Sequence, residues 1–341
     1  MKVKAPPAAA GYRMPAEWEP HSATWIAWPH NRDDWPGRFG PIPWVYAEIV
    51  RKLSRFERAG ILVDDRALCE GARRILRKAG ADLGAVDFLI CPTNRVWTRD
   101  YGPIFVKNKR GEVAITRWQF NAWAKYDDWR QDVEVPAAIA AELRMPVFQP
   151  EMVLEGGSID VNGEGLLLTT EECLLSDVQA RNPGLSRADI EARMRAYLGV
   201  KKVIWLHKGI VGDDTHGHVD DIARFVSPGV VAAAFERDRT DANYEPLREN
   251  IEILRRAGLT VVKLPMPAPL VFNGQRLPAS YANFYIANRQ VLVPTFNDAA
   301  DRVALGTIAK LFPDREVVGI NCTELIWGLG ALHCMTQQQP A

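Results

Sequence analysis

The chain carries no net charge, with 42 Lys and Arg offsetting 42 Asp and Glu over 341 residues. That balance speaks against a nucleic-acid coat or a binder of anionic membranes, which both work through surplus positive charge. No run approaches the ~18 apolar residues of a membrane-spanning helix. The basic start at residues 1–7 has no apolar stretch behind it, so a cytoplasmic protein is expected. Cysteine is scarce, five in all (Cys69, Cys91, Cys173, Cys322, Cys334), odd in number and without a C-x-x-C spacing. A disulfide scaffold and a zinc ribbon are thereby disfavoured, and a reducing compartment is the natural setting. Gly/Ser linkers, charge blocks and low-complexity tracts are missing too. Residues 1–341 are therefore expected to form a single unit, although the length alone allows two.

Apolar residues make up 47% of the chain, enough for a large core, and tryptophan is abundant at 11 copies. Most of these serve packing; an aromatic-walled pocket for a flat or cationic ligand is the sharper reading. Short apolar, β-branched or aromatic runs at 24–28, 61–63, 104–106, 113–118, 165–170, 203–206, 222–226, 230–234, 260–264, 284–287, 291–293 and 317–320 predict strands. Helical patterns fall at 44–58, 68–78, 186–198, 244–257 and 299–312, with Gly60, Gly80, Gly199 and Gly258 as terminal caps. Strands often come in consecutive pairs, which excludes both a plain βαβ alternation and an all-β sandwich. Asp100, Glu155, His218, Asn283 and Cys334 each stand beside a strand, at intervals of 55, 63, 65 and 51 residues. A period near 60 suggests repeated supersecondary units, each delivering a polar residue to one centre.

Chemistry concentrates at those points. Cys334 follows a Gly-bounded apolar run in Gly328-Leu329-Gly330-Ala331-Leu332-His333-Cys334, where backbone can approach a ligand closely. In His216-Gly217-His218-Val219-Asp220, strand periodicity places His216, His218 and Asp220 on one face. Two readings compete there. The three could ligate a metal, as in a metal-dependent ureohydrolase, or His218 could act as acid and base with Asp220 aimed at a cation. The other histidines offer no second ligand motif, which favours the metal-free reading. Asp100 precedes a Gly-Pro turn near Trp97, and Glu155 precedes two glycines. Carboxylates, a His, a Cys and an indole together suit a guanidinium, whose planar fork of N–H donors pairs with carboxylates while a thiolate attacks its central carbon.

The ordered motifs Met14-Pro15-Ala16-Glu17-Trp18-Glu19-Pro20-His21, Trp97-Thr98-Arg99-Asp100-Tyr101-Gly102-Pro103, Glu155-Gly156-Gly157, Gly217-His218-Val219-Asp220, Asn283-Phe284-Tyr285 and His333-Cys334-Met335-Thr336-Gln337-Gln338 run over nearly the whole chain. They resemble the agmatine deiminase / bacterial-type peptidylarginine deiminase family of guanidine-modifying enzymes. The resemblance implies an α/β pentein fold, five ββαβ-like units ringed around the active site, and hydrolysis of agmatine to N-carbamoylputrescine and ammonia, a step toward putrescine. It implies Cys334 as nucleophile, His218 as acid and base, Asp100 and Asp220 as guanidinium carboxylates, and Glu155 as a further acid. Trp97 and Asp214 are the candidates for the substrate tail. A small cationic guanidine is the expected partner and a homo-oligomer is possible, with no nucleic acid, membrane, metal or cofactor. The alternatives are deimination of another guanidine such as peptidyl-arginine, the ureohydrolase above, and an inactive guanidine or polyamine binder.

Overall fold

A computed structural model describes residues 5–341, so residues 1–4 of the basic start lie outside it. One pattern recurs in five of its sheets: a first strand runs antiparallel to a second, and the second parallel to a third. Four sheets take their strands in chain order. They are Ile104–Lys107, Val113–Thr116 and Val147–Phe148; Asp160–Val161, Leu166–Thr170 and Lys202–Leu206; Ala223–Ser227, Val230–Phe235 and Thr260–Pro265; Tyr285–Ala287, Gln290–Thr295 and Glu316–Asn321. The remaining sheet borrows its first strand, Gln337–Pro340, from the C-terminal end and pairs it with His21–Ala27, then continues through Arg58–Val63 and Val86–Ile90. The two ends of the chain thus close a ring of ββαβ units, the pentein arrangement.

In each unit a helix links the second strand to the third: Ile42–Leu53, Val135–Leu143, Arg187–Leu198, Tyr244–Arg256 and Ala299–Leu311. Parallel pairing requires that crossover, and a helix laid on the sheet leaves the middle strand covered on both faces. Val230–Phe235 reads accordingly as an unbroken apolar run, its four inner residues buried. Helix ends follow local chemistry. Ser186 with Asp189, and Asp298 with Asp301, form capping boxes, and Gly80 and Gly199 take left-handed C-cap conformations.

All twelve predicted strands are present, with two corrections nearby. The helix expected over 44–58 stops at Leu53, because Arg58 already begins a strand. Gly60 lies inside that strand rather than at a cap: a Cβ there would come 2.6 Å from the Trp25 indole, so the glycine makes room for the ring. The sequence also hid Gln337–Pro340, a fully buried strand of polar residues. Its amide oxygens accept from Arg99, which donates to Gln337 and Gln338, and from the Trp25 indole, which donates to Gln339, while Nε2 of Gln337 is buried without a partner. Among the described residues no helix is long and apolar enough to cross a membrane.

Candidate active site

Every point of the sequence period lies just ahead of the first strand of one unit. Asp100 sits in the single helical turn Thr98–Tyr101 before Ile104, and Glu155 starts the turn Gly156–Ser158 before Asp160. His218 starts the turn Val219–Asp221 before Ala223, while Asn283 and Cys334 precede Tyr285 and Gln337. Equivalent loops of a ring meet at its centre, and these five are all buried.

The contacts among them are close. Cys334 Sγ is 3.1 Å from Nδ2 of Asn283, which donates to it, and 3.8 Å from Oδ2 of Asp220. The His218 ring lies between two carboxylates, Nδ1 at 3.7 Å from Asp100 and Nε2 at 3.6 Å from Glu155, and neither nitrogen is hydrogen-bonded. Asp100 accepts from the Gly157 backbone N–H at 3.0 Å and from the Trp123 indole N–H at 2.8 Å. Asp220 accepts from Nδ1 of His333 at 2.7 Å, while its other oxygen, Oδ1, is buried with no partner. Gly157 marks where three of these groups meet. A Cβ there would stand 2.6 Å from His218 Nδ1, 2.8 Å from Asp100 Oδ1 and 3.1 Å from Asp220 Oδ2.

Burial and charge act differently on each group. Burial raises Asp100 to about 6, helped by the neighbouring Asp220 and Glu155 and opposed by His218. Burial likewise presses Glu155 upward, but Arg181, whose Nε lies 2.9 Å away, and His218 outweigh it and hold the carboxylate at about 2. For His218 burial favours the neutral ring, and Asp100, Cys173 and Glu155 overcome this to hold it well above the usual imidazole range. Burial pushes the Cys334 thiol well up, and Asp220, Asp221 and Asp100 add to the rise. Among these acids the sulfur is therefore a thiol, facing an acidic surround that a cation would relieve.

A cavity of about 340 Å³ has Cys334 and Asp100 in its wall, and His218, Asp220 and Glu155 are buried behind them. Trp97 and Asp214, predicted for the substrate tail, line the same cavity. Asp214 is already engaged there by Lys125 and, at 2.6 Å, by the Tyr126 hydroxyl. Gly328 and Gly330 reach the wall as well, but their missing Cβ atoms admit the indoles of Trp35 and Trp97, an aromatic contact the sequence reading did not anticipate.

One geometric expectation fails. The stretch from His216 to Asp220 is a loop and turn instead of a strand, because His216 adopts a left-handed φ of 63° that no strand accommodates. Its ring turns to Ser176 Oγ at 3.2 Å, away from His218. The described residues bring two other donor sets within 4.8 Å, Glu155–Cys173–His218 and Asp220–Asp221–Cys334. Neither contains His216, and the Arg181 guanidinium on Glu155 opposes a cation at the first.

Four polar partners escaped the sequence reading. Asn283 was visible as a member of the period and of a motif, without a role. Trp123 was one indole among many, although it sits in a run of left-handed residues, Ala122 to Ala124, with φ of 50–58°. Arg181 carried no signal of its own and His333 stood in a motif without a role, since both act through contacts made through space.

The fold is a pentein, and one thiol, one imidazole and several carboxylates at its centre place it among the guanidine-modifying enzymes. The sequence model of the Porphyromonas-type peptidyl-arginine deiminases matches residues 13–340, and the chain belongs to that family. It is 38% identical to the agmatine deiminase of Pseudomonas aeruginosa, over 98% of this chain and 97% of that one. A structure described as the agmatine deiminase of Enterococcus faecalis catalyzing its reaction superposes with a TM-score of 0.92 at 35% identity, covering 99% of this chain and 98% of that one. A C. jejuni agmatine deiminase with substrate bound gives 0.90 at 30% identity, covering 97% and 96%.

Proposed function

We propose that the protein hydrolyses agmatine to N-carbamoylputrescine and ammonia, with Cys334 as nucleophile. The observation that carries this reading is the convergence of Cys334, His218, Asp100 and Asp220 around one buried point at the end of a cavity. A guanidinium entering there meets Asp100 and the unpartnered Oδ1 of Asp220, two acceptors for its N–H fork. Its positive charge also reverses the balance that keeps Cys334 protonated, so the thiol gives its proton to water as the substrate settles. The thiolate attacks the central carbon and a C–S bond forms. His218, protonated between Asp100 and Glu155, gives its proton to the departing nitrogen, ammonia leaves, and a thiouronium remains on the sulfur. The ring, now neutral, takes a proton from water and the resulting hydroxide adds to the same carbon; the C–S bond then breaks as the new hydroxyl passes its proton to the leaving sulfur, which releases N-carbamoylputrescine and restores the thiol. Glu155, fixed by Arg181, holds the ring in place and sustains its charge.

Agmatine ends in an ammonium without a carboxylate, so its tail suits the acids and indole of the outer cavity: Asp33, Asp34, Asp214 and Trp97. Five free cysteines accord with a reducing, cytoplasmic setting. The test is ammonia release from agmatine, free arginine and a peptide arginine, compared as kcat/KM. Agmatine should lead, and Cys334→Ala should lower turnover by about 10⁴-fold or more while leaving agmatine binding measurable. Urea as the product, or a preference for peptide arginine, would overturn the assignment.

A further inference from the structure

Behind Asp220 lies a layer of buried charge that the reaction above does not touch. His333, the residue before the nucleophile, spans two carboxylates: Nδ1 is 2.7 Å from Asp220 Oδ2 and Nε2 is 2.8 Å from Glu17 Oε2. Glu17 arrives from the N-terminal motif, 316 residues away in sequence, and is held by Arg224 at 2.9 Å, Arg99 at 3.4 Å and the Ile286 backbone N–H at 2.8 Å. Arg99 in turn donates to the carbonyl oxygens of His333 and Cys334, joining this layer to the nucleophile loop.

A neutral imidazole has one N–H, yet both ring nitrogens here face carboxylate oxygens at donor distance. Burial and the two guanidiniums press the ring below the usual imidazole range, against the pull of the two carboxylates. Against that push stand the two short carboxylate contacts, one on each ring nitrogen, and the charge balance of the layer. Glu17, Asp160 and Asp220 against Arg99 and Arg224 leave one negative charge, which an imidazolium cancels. On its other side Asp220 meets His218 and Asp100, whose charges oppose each other, and Asp221 and Cys334, which burial keeps protonated. Tyr285, beside Arg99, is likewise kept neutral by burial.

We propose that His333 is a positioning residue: clamped by Glu17, it donates to Oδ2 of Asp220 and so keeps that carboxylate ionised, with Oδ1 free for the substrate guanidinium. The proposal rests on the agmatine reading for its substrate and on geometry for the clamp, and the two can fail separately. His333→Asn should lower kcat/KM for agmatine by about 10- to 100-fold, the effect of losing a hydrogen bond to a charged group. Without its donor the Asp220 carboxyl rises toward that of Asp100, so the acid limb of the pH profile should steepen and move to higher pH; a packing defect alone would lower the rate and leave the limb in place. Glu17→Gln, which keeps the shape and removes the charge, should shift the limb the same way by less, and it carries the test if His333→Asn does not fold. In the double variant the loss should equal that of His333→Asn alone. An additive loss or an unmoved limb would overturn the clamp. Nitrogen NMR of the histidine-labelled wild type should show both His333 ring nitrogens protonated at neutral pH, a signature lost in Glu17→Gln. That readout is independent of turnover. A single ring N–H sinks the clamp, whereas two in a protein inactive on agmatine sink the substrate assignment and leave the clamp standing.

Discussion

The two ends of the cavity are built by different rules. At the inner end Asp100 and Cys334 come from loops that open successive units of the ring, alongside Glu155, His218 and Asn283, and all are buried and cross-braced. The outer end draws on connections without that repeat: Asp33, Tyr126, Asp214, Gln275 and Trp327. Asp33 and Gln275 are exposed, and Lys125 and Asp214 form an ion pair open to solvent. Repetition fixes the reacting groups, because each loop is pinned by the sheet that follows it, while recognition of the tail is left to segments free to vary.

The sharpest way to break the contrast is Gly157→Ala. At the inner end a single methyl would press on His218 and Asp100, both without room to retreat, and kcat should fall about 10²-fold with little change in overall stability. A melting curve beside the rate separates the two effects, and near-normal turnover would show the inner end to be more yielding than its packing indicates. In the proposed reaction Asp100 must be ionised to hold the guanidinium, so kcat/KM for agmatine should decline as pH falls through about 6. Trp123→Phe removes an indole N–H that lowers this carboxyl, and should therefore move that limb upward and cost about 10-fold at neutral pH. An unshifted limb would assign the pH dependence to another group. The smallest effect belongs to the outer end. Lys125→Met frees Asp214 from its ion pair and should lower KM for agmatine only a few-fold, with kcat unchanged, as suits a solvent-screened contact. A large change in kcat would mean that the two ends are coupled.

Legibility followed the same division. The roughly regular spacing of Asp100, Glu155, His218, Asn283 and Cys334 was readable because each unit repeats a similar length of chain, and a local pattern reports local structure. Twelve strands showed as apolar runs for the same reason. The pair Val147–Phe148 was too short to show a period, and Gln337–Pro340 was too polar to be taken for a buried strand. His216 illustrates the opposite error, where alternation suggested a shared face and a left-handed residue broke it.

By itself, then, the sequence determined the class of fold, the repeat and the identity of the groups that meet, since these depend on residue type, spacing and resemblance. Only the tertiary structure decided which group is ionised and what holds it. The charge on Glu155 depends on Arg181, the acidity of Asp100 on Trp123 and its neighbours, and the state of Asp220 on a histidine clamped by Glu17 from the far end of the chain. Proton affinity is set by burial and by charges a few ångströms away in space, distances that separation along the chain does not encode. The zero net charge met at the outset therefore conceals a buried constellation of paired charges that folding alone assembles.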